Sequence, residues 1–297
     1  MRSFSFFSMI RKAVIPAAGF GTRFLPATKA IPKEMLPLID TPVIQVVVEE
    51  AVAAGITDIL IVTSKSKEII KKHFDYSPEL MAILEKKDKA LFESVKKISE
   101  LANIQYVVQP EQNGLGDAIR YGRTFVGDDD FAVLLGDVIM KNSVPSMKLL
   151  CDVYERYKKP VIGVEQVPMS EVVNCGVVDP APFEAEKDIY KSKGMVEKPS
   201  VETAPSNLAL TGRYVLPPEI FDLIDKVELN RGEIQITDAI NILCKKQTVL
   251  ACDKTGVRYD IGNKITYVKA LVEFALERED MKDEFRAYLE ELLNRKK

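Results

Sequence analysis

The chain has 297 residues and a formal net charge of −3, from 41 Lys and Arg against 44 Asp and Glu. That length suits one large α/β domain, with or without a smaller lobe, and a protein of this size buries roughly three quarters of its unfolded surface without disulfide or metal staples. The charge balance gives no broad field for nucleic acid or membrane, and no apolar run approaches the ~18 residues of a membrane span, so phosphate binding has to come from a local site.

In chain order, Arg2–Ile10 is a short apolar stretch interrupted by serines and lacking a small-residue cleavage site. It reads as an N-terminal extension over residues 1–9, with a start at Met9 as the alternative. Ala13-Val14-Ile15 is an apolar strand running into a glycine loop. Asp40-Thr41-Pro42 predicts a helix start, a capping side chain with proline near the first helical position, and Gly55 its stop. Ile59–Val62 is the next strand, followed by charged helical stretches at Glu68–His73 and Glu79–Leu101. His73, the single histidine, reads as a solvated helix end; one histidine excludes an HExxH zinc site and disfavours a Ser-His-Asp triad. Ile104–Val108 and Phe131–Leu135 are further strands, and Val161–Val167, Gly176–Val178 and Leu208–Val215 continue the series among proline-rich loops. Thr237–Lys245 is helical, and an amphipathic helical tail starts near Lys264.

Continuous apolar strands separated by helices predict an α/β fold, a mostly parallel central sheet flanked by helices, with a C-terminal helical lobe. We divide it into a domain over 10–275 and a helical extension over 276–297. In such sheets ligands sit beyond the carboxyl ends of the strands. Cys151, Cys175, Cys244 and Cys252 form no CxxC pair and read as reduced thiols of a cytoplasmic protein.

The candidate residues follow strand ends. Pro16-Ala17-Ala18-Gly19-Phe20-Gly21-Thr22-Arg23 can turn its backbone N–H groups toward phosphates, although a lone G-x-G is also an ordinary tight turn. The dinucleotide fingerprint needs a third glycine where Phe24 stands, which disfavours a dehydrogenase, and no Gly-Lys dipeptide supplies a P-loop. Arg23 and, ten residues on, Lys33 place cations beside the loop, as a triphosphate requires. Asp137, in Leu135-Gly136-Asp137, can hold Mg²⁺ or cap a turn. Asp260, after a possible strand, is a second such carboxylate or a turn residue. Glu197-Lys198-Pro199 can accept from sugar hydroxyls and neutralise a phosphate; alone it would also be a surface ion pair.

Together these motifs resemble the sugar nucleotidyltransferase superfamily, and within it the bacterial UTP–glucose-1-phosphate uridylyltransferases. The stretch Ala17–Pro26 with Ile31-Pro32-Lys33-Glu34-Met35-Leu36-Pro37 carries the resemblance. Gln109-Pro110, Gly114-Leu115-Gly116, Leu135-Gly136-Asp137, Gly176-Val177-Val178, Glu197-Lys198-Pro199 and Gly232–Asp238 extend it from about Ile10 to about Ala275. It implies a Rossmann-like nucleotidyltransferase fold and Mg²⁺-dependent transfer from UTP to glucose 1-phosphate, giving UDP-glucose and pyrophosphate, in a homo-oligomeric (dimeric or tetrameric) protein. A thymidylyl donor, another hexose phosphate, or a non-catalytic sensing or scaffold relative are the alternatives; the presence of Arg23, Lys33, Asp137 and Lys198 argues against the last.

The implied roles are as follows. Ala17, Ala18, Gly19 and Gly21 hold the nucleotide; Arg23 and Lys33 hold the triphosphate; Glu34, Gln109 and Gly114 line the nucleoside pocket. Asp137 binds Mg²⁺, with Asp260 as a second ligand. Gly176 and Glu197 hold the hexose and Lys198 its phosphate. Cys175 departs from the aromatic residue many relatives carry before Gly176. The Gln109 amide can pair with uracil N3–H, yet once flipped it would serve cytosine equally, so discrimination is expected from the Gly114 N–H, which cannot flip.

Overall fold

A computed structural model describes residues 10–229 and 232–295; the N-terminal extension expected over 1–9 lies outside the described residues. The strands are β1 (Lys12–Pro16), β2 (Pro37–Leu38), β3 (Thr41–Pro42), β4 (Asp58–Thr63), β5 (Asn103–Val108), β6 (Phe131–Leu134), β7 (Val138–Lys141), β8 (Val161–Gln166), β9 (Gly176–Pro182), β10 (Ile189–Glu197), β11 (Leu208–Leu216), β12 (Val249–Cys252) and β13 (Val257–Asp260). Nine of them form one sheet in the order β5-β4-β1-β6-β11-β8-β12-β10-β9. β5, β4, β1 and β6 are parallel, so their carboxyl ends share one edge. β11 runs against β6 and β8, and β10 against β12 and β9. β9 also meets β11 at Val177–Ala209, which curls the far edge back onto the middle of the sheet.

The middle of this sheet is covered on both faces, which is why β1, β4, β6, β8, β11 and β12 are nearly continuous apolar runs. Successive side chains alternate between faces. Ala13 and Ile15 pack with Ile44, Val47, Ile59, Ile61, Met147 and Leu150 beneath the helices Val43–Ala53 and Ser146–Tyr157. Val14 packs on the other face with Leu60, Val62, Val133, Phe221, Ile240 and Leu243, beneath Ile220–Ile224 and Ile236–Lys246. A third cluster, with Leu38, Val43, Ile139, Tyr259 and Ala270, seats the helix Lys264–Glu277 against β7 and β13, which pair as a small second sheet. This helix runs through residues 275 and 276, and Lys282–Asn294 follows it. No helix among the described residues is long and apolar enough to cross a membrane.

Several local expectations need correction. Pro42 itself is the N-cap of Val43–Ala53, with no side-chain cap. Asp40 and Thr41 are taken up by the β2–β3 hairpin, in which Leu38 pairs with Thr41, and Asp40 meets Arg278 at 2.5 Å instead. The stretch Glu79–Leu101 breaks into Pro78–Lys87 and Lys89–Ser99. Asp88 is extended there and caps the second helix, accepting from the Leu91 N–H at 3.0 Å. His73 is not a solvated end: its Nε2 lies 2.8 Å from Gln45 Oε1, and burial lowers its pKa.

Candidate active site

The loops leaving β1, β4, β5 and β6 meet at the shared edge of the parallel strands. β1 delivers the Pro16–Arg23 loop, β5 delivers Gln109 and β6 delivers Asp137. β13 pairs with β7 in a register that sets Asp260 opposite Val138, and the Ile261 N–H donates to the Asp137 carbonyl at 2.9 Å. The curled edge contributes the rest, because the register of β9 on β10 puts Gly176 opposite Glu197.

Two adjoining cavities result. One, of about 380 Å³, is lined by Ala17, Ala18, Gly19, Glu34, Gln109 and Gly114 among others. The second, of about 370 Å³, is lined by Gly21, Arg23, Gly176 and Asp260 among others. Lys33, Asp137, Glu197 and Lys198 line both and form the wall between them. Every residue assigned a binding or catalytic role from the sequence thus lines one cavity or the other.

The glycine loop is built tightly. Gly21 is left-handed, at φ 67°, and a Cβ there would come within 3.3 Å of the Thr28 side chain and 3.4 Å of Lys33. The Thr28 hydroxyl donates to the Gly21 carbonyl at 2.7 Å. Gly114 is the second constrained position: at φ 105°, an added Cβ would meet the Ile234 carbonyl oxygen at 2.7 Å. Segments 113–116 and 233–235 interlock there, with Gly116 N–H donating to Ile234 O and Ile234 N–H to Asn113 O.

At the shared wall, Lys33 Nζ donates to Asp137 Oδ2 at 2.5 Å. Burial opposes both charges, yet each outweighs it for the other: Asp137 and Glu34 raise the Lys33 pKa, and Lys33 lowers that of Asp137. Asp260 Oδ2 lies 3.8 Å from the largely exposed Arg23 guanidinium. Lys198 Nζ is 3.5 Å from Glu197 Oε1, and its backbone is held at φ 47° with its N–H on the Cys175 carbonyl at 2.9 Å. Strain of this kind persists only where surrounding contacts over-determine it. A Cβ on Gly176 would meet Leu210 Cδ1 at 2.7 Å and Glu197 Oε2 at 3.0 Å, so a side chain there would crowd the second cavity.

The donor set fits Mg²⁺. A point where a Cβ would stand on Gly262 is 2.8 Å from Asp260 Oδ1 and 3.7 Å from both Asp137 Oδ2 and Arg23 Nη1, so the two carboxylates border one small space that the guanidinium also reaches. No cluster of three or more His, Cys, Asp or Glu occurs among the described residues. Mg²⁺ takes one or two carboxylates and completes its shell with phosphate oxygens and water, which such a pair allows.

Sequence reasoning missed four participants. Lys67, from the loop after β4, is buried beneath the glycine loop and donates to Ala17 O, Gly19 O and both Glu34 oxygens at 2.6–3.0 Å. Burial raises the Glu34 pKa and lowers that of Lys67, each partly offset by the other. Arg258, in the second cavity, donates to Glu165 at 2.5 Å and to Cys175 Sγ at 3.4 Å. Burial keeps that thiol's pKa raised despite the guanidinium. Asp117 and Arg120 lie behind Gln109, whose Nε2 donates to Asp117 Oδ2 at 2.6 Å. The only sequence signal for these residues was charge beside a motif, which a solvated surface would share.

The nucleotidyl transferase family model matches residues 12–277. The chain is 51% identical over 288 residues to the UTP–glucose-1-phosphate uridylyltransferase of Bacillus subtilis, covering 96% of this chain and 98% of that one. It superposes on the UTP-bound UDP-glucose pyrophosphorylase of Acinetobacter baumannii with a TM-score of 0.86 and 42% identity, over 95% and 99% of the two chains. A UDP-glucose pyrophosphorylase complexed with UDP-glucose gives a TM-score of 0.82 at 39% identity, over 91% and 100%. The chain belongs to the nucleotidyl transferase family, among its UTP–glucose-1-phosphate uridylyltransferases.

Proposed function

We propose that the chain transfers UMP from UTP to α-D-glucose 1-phosphate with Mg²⁺, giving UDP-glucose and pyrophosphate. The observation that carries this reading is the charged wall of Lys33, Asp137 and Lys198 between two cavities, where two phosphorylated substrates would meet. The related proteins solved with UTP and with UDP-glucose support the same pair of ligands.

An oxygen of the sugar phosphate attacks the α-phosphorus of UTP; the bond from that phosphorus to the bridging oxygen breaks, and pyrophosphate leaves opposite. The attacking phosphate is ionised near neutral pH, so no general base is needed. Catalysis rests on positioning and charge neutralisation. The loop Ala17–Gly21 seats the triphosphate, with Arg23 and Lys33 beside its phosphates. Glu34, Gln109 and Gly114 border the nucleoside. Gly176 and Glu197 take the hexose, and Lys198 its phosphate. Asp137, with Asp260, would hold Mg²⁺, which when bound neutralises phosphate oxygens and orients them for in-line displacement. Lys33, paired with Asp137 at 2.5 Å, stands where it would also neutralise phosphate oxygens.

We also place the protein in the cytoplasm, in keeping with four free thiols. We assign subunit contacts to the C-terminal helical extension, where Tyr288 and Leu293 are exposed. Pyrophosphate release measured across nucleoside triphosphates and hexose 1-phosphates tests the reaction. UTP with glucose 1-phosphate should be fastest and should stop when Mg²⁺ is chelated. A maximum with TTP or with another hexose phosphate would reassign the substrates, and no release with any pair would favour a binding protein.

A further inference from the structure

The Gln109 amide has a fixed direction. Gln109 and Asp117 are both buried, at 2% and 0% exposure. The Gln109 backbone N–H donates to the Thr63 carbonyl at 2.8 Å, so the residue is anchored at the end of β5. Its Nε2 donates to Asp117 Oδ2 at 2.6 Å. The other carboxylate oxygen, Oδ1, accepts from Arg120. Arg120 is partly exposed and reaches a second carboxylate, Asp225, at 3.8 Å. A carboxylate paired with a guanidinium only accepts hydrogen bonds, so the amide must present its nitrogen to Asp117. A flip would put carbonyl oxygen against carboxylate oxygen in a buried place. Among the described residues the amide oxygen accepts no hydrogen bond, and Gln109 lines the cavity assigned to the nucleoside.

We infer that Asp117, held by Arg120, is a specificity-determining positioning residue: it locks Gln109 with its carbonyl oxygen toward the base, so that this cavity selects a pyrimidine carrying N3–H. The inference rests on the proposed nucleotide reading of the cavity. Uracil and thymine donate from N3 to that oxygen. Cytosine presents an unprotonated N3, an acceptor against an acceptor. The ambiguity of a freely flipping amide is thereby removed, and discrimination no longer falls on the Gly114 N–H alone. Asp117 touches no part of the base itself and acts through Gln109.

The test compares wild type with Asp117→Asn. Asparagine keeps the shape but can donate as well as accept, so Gln109 regains both orientations. The ratio of kcat/KM for UTP over CTP should fall by roughly five- to a hundredfold, the scale for an unmatched buried polar group. The UTP to TTP ratio should stay fixed, since both bases share the N3–H edge. A merely structural role would lower UTP and CTP use by one common factor, and that result would overturn the inference. Should the single variant fold poorly, Asp117→Asn with Arg120→Gln removes both charges together and makes the same comparison. Calorimetric binding of UTP and CTP gives the ratio independently of turnover. If wild type favours UTP or TTP over CTP in binding but does not use glucose 1-phosphate, the reaction assignment fails while the role of Asp117 is still measured.

Discussion

Asp137 ties two sides of the site together. Its side chain pairs with Lys33 at 2.5 Å, and its carbonyl receives the Ile261 N–H that brings Asp260 alongside. Asparagine at 137 keeps the shape and removes the charge that would hold a divalent ion. We expect Asp137→Asn to lower kcat by roughly 10²-fold or more, the scale for losing a preorganised charge contact, with the fold retained by circular dichroism but the melting temperature lowered, because Lys33 loses its partner. Normal turnover that still responds to Mg²⁺ would remove Asp137 from the metal site. Lys198 makes a different prediction, because its strained backbone fixes it beside Glu197 and Gly176. Lys198→Ala should lower kcat/KM for glucose 1-phosphate by roughly 10²-fold while UTP affinity, read by calorimetry without the sugar phosphate, changes little. An equal loss of UTP binding would move Lys198 to the nucleotide side.

Among the elements, the loops hold the site and the strands hold the loops. The strands of the parallel half were legible because burial on both faces leaves long apolar runs such as Ile59–Val62 and Phe131–Leu135. β10 was not, since its apolar start Ile189-Tyr190 gives way to the polar run Lys191-Ser192-Lys193-Gly194, where a register shift also interrupts it between Ser192 and Gly194. The break at Asp88 was hidden because neither glycine nor proline marks it. Lys67 shows the same limit at a loop: Ser64-Lys65-Ser66-Lys67 reads as a solvated run, yet Lys67 is buried and ties the β1 loop to Glu34. Removing one member of a buried ion pair leaves the other charge unpaired, which costs about 3–5 kcal/mol. Lys67→Met should lose that much stability in denaturant titrations, and the double variant Glu34→Gln with Lys67→Met should recover part of it. Equal losses in the single and double variants would show that the Ala17 and Gly19 carbonyls, and not Glu34, are what Lys67 satisfies.

At the scale of the whole molecule, the turn that presents Asp137 is held from behind by a pair that no local pattern announces. Arg213, on β11, is fully buried and contacts Glu50 of the helix Val43–Ala53, 163 residues away in sequence, at 2.8–3.2 Å. The same guanidinium donates to the Val138 carbonyl at 2.7 Å and approaches the Leu135 carbonyl at 3.5 Å, on either side of the Gly136-Asp137 turn. Glu50 in turn accepts from the Met147 N–H at 3.0 Å, which links the helix Ser146–Tyr157 to the same point. Glu50→Ala would strand a buried guanidinium, at a cost of about 3–5 kcal/mol and a fall in melting temperature on the order of 10 °C. It should also lower kcat by about ten- to a hundredfold, because small misplacements of a group at the reacting centre are expensive. Stability and positioning can be separated by adding Arg213→Met, which removes the stranded charge. The double variant should regain most of the melting temperature, since an apolar residue replaces a buried ion. Its kcat should remain low, because nothing then spans the carbonyls of Leu135 and Val138. Recovery of both quantities together would mean that Arg213 stabilises the fold without placing Asp137.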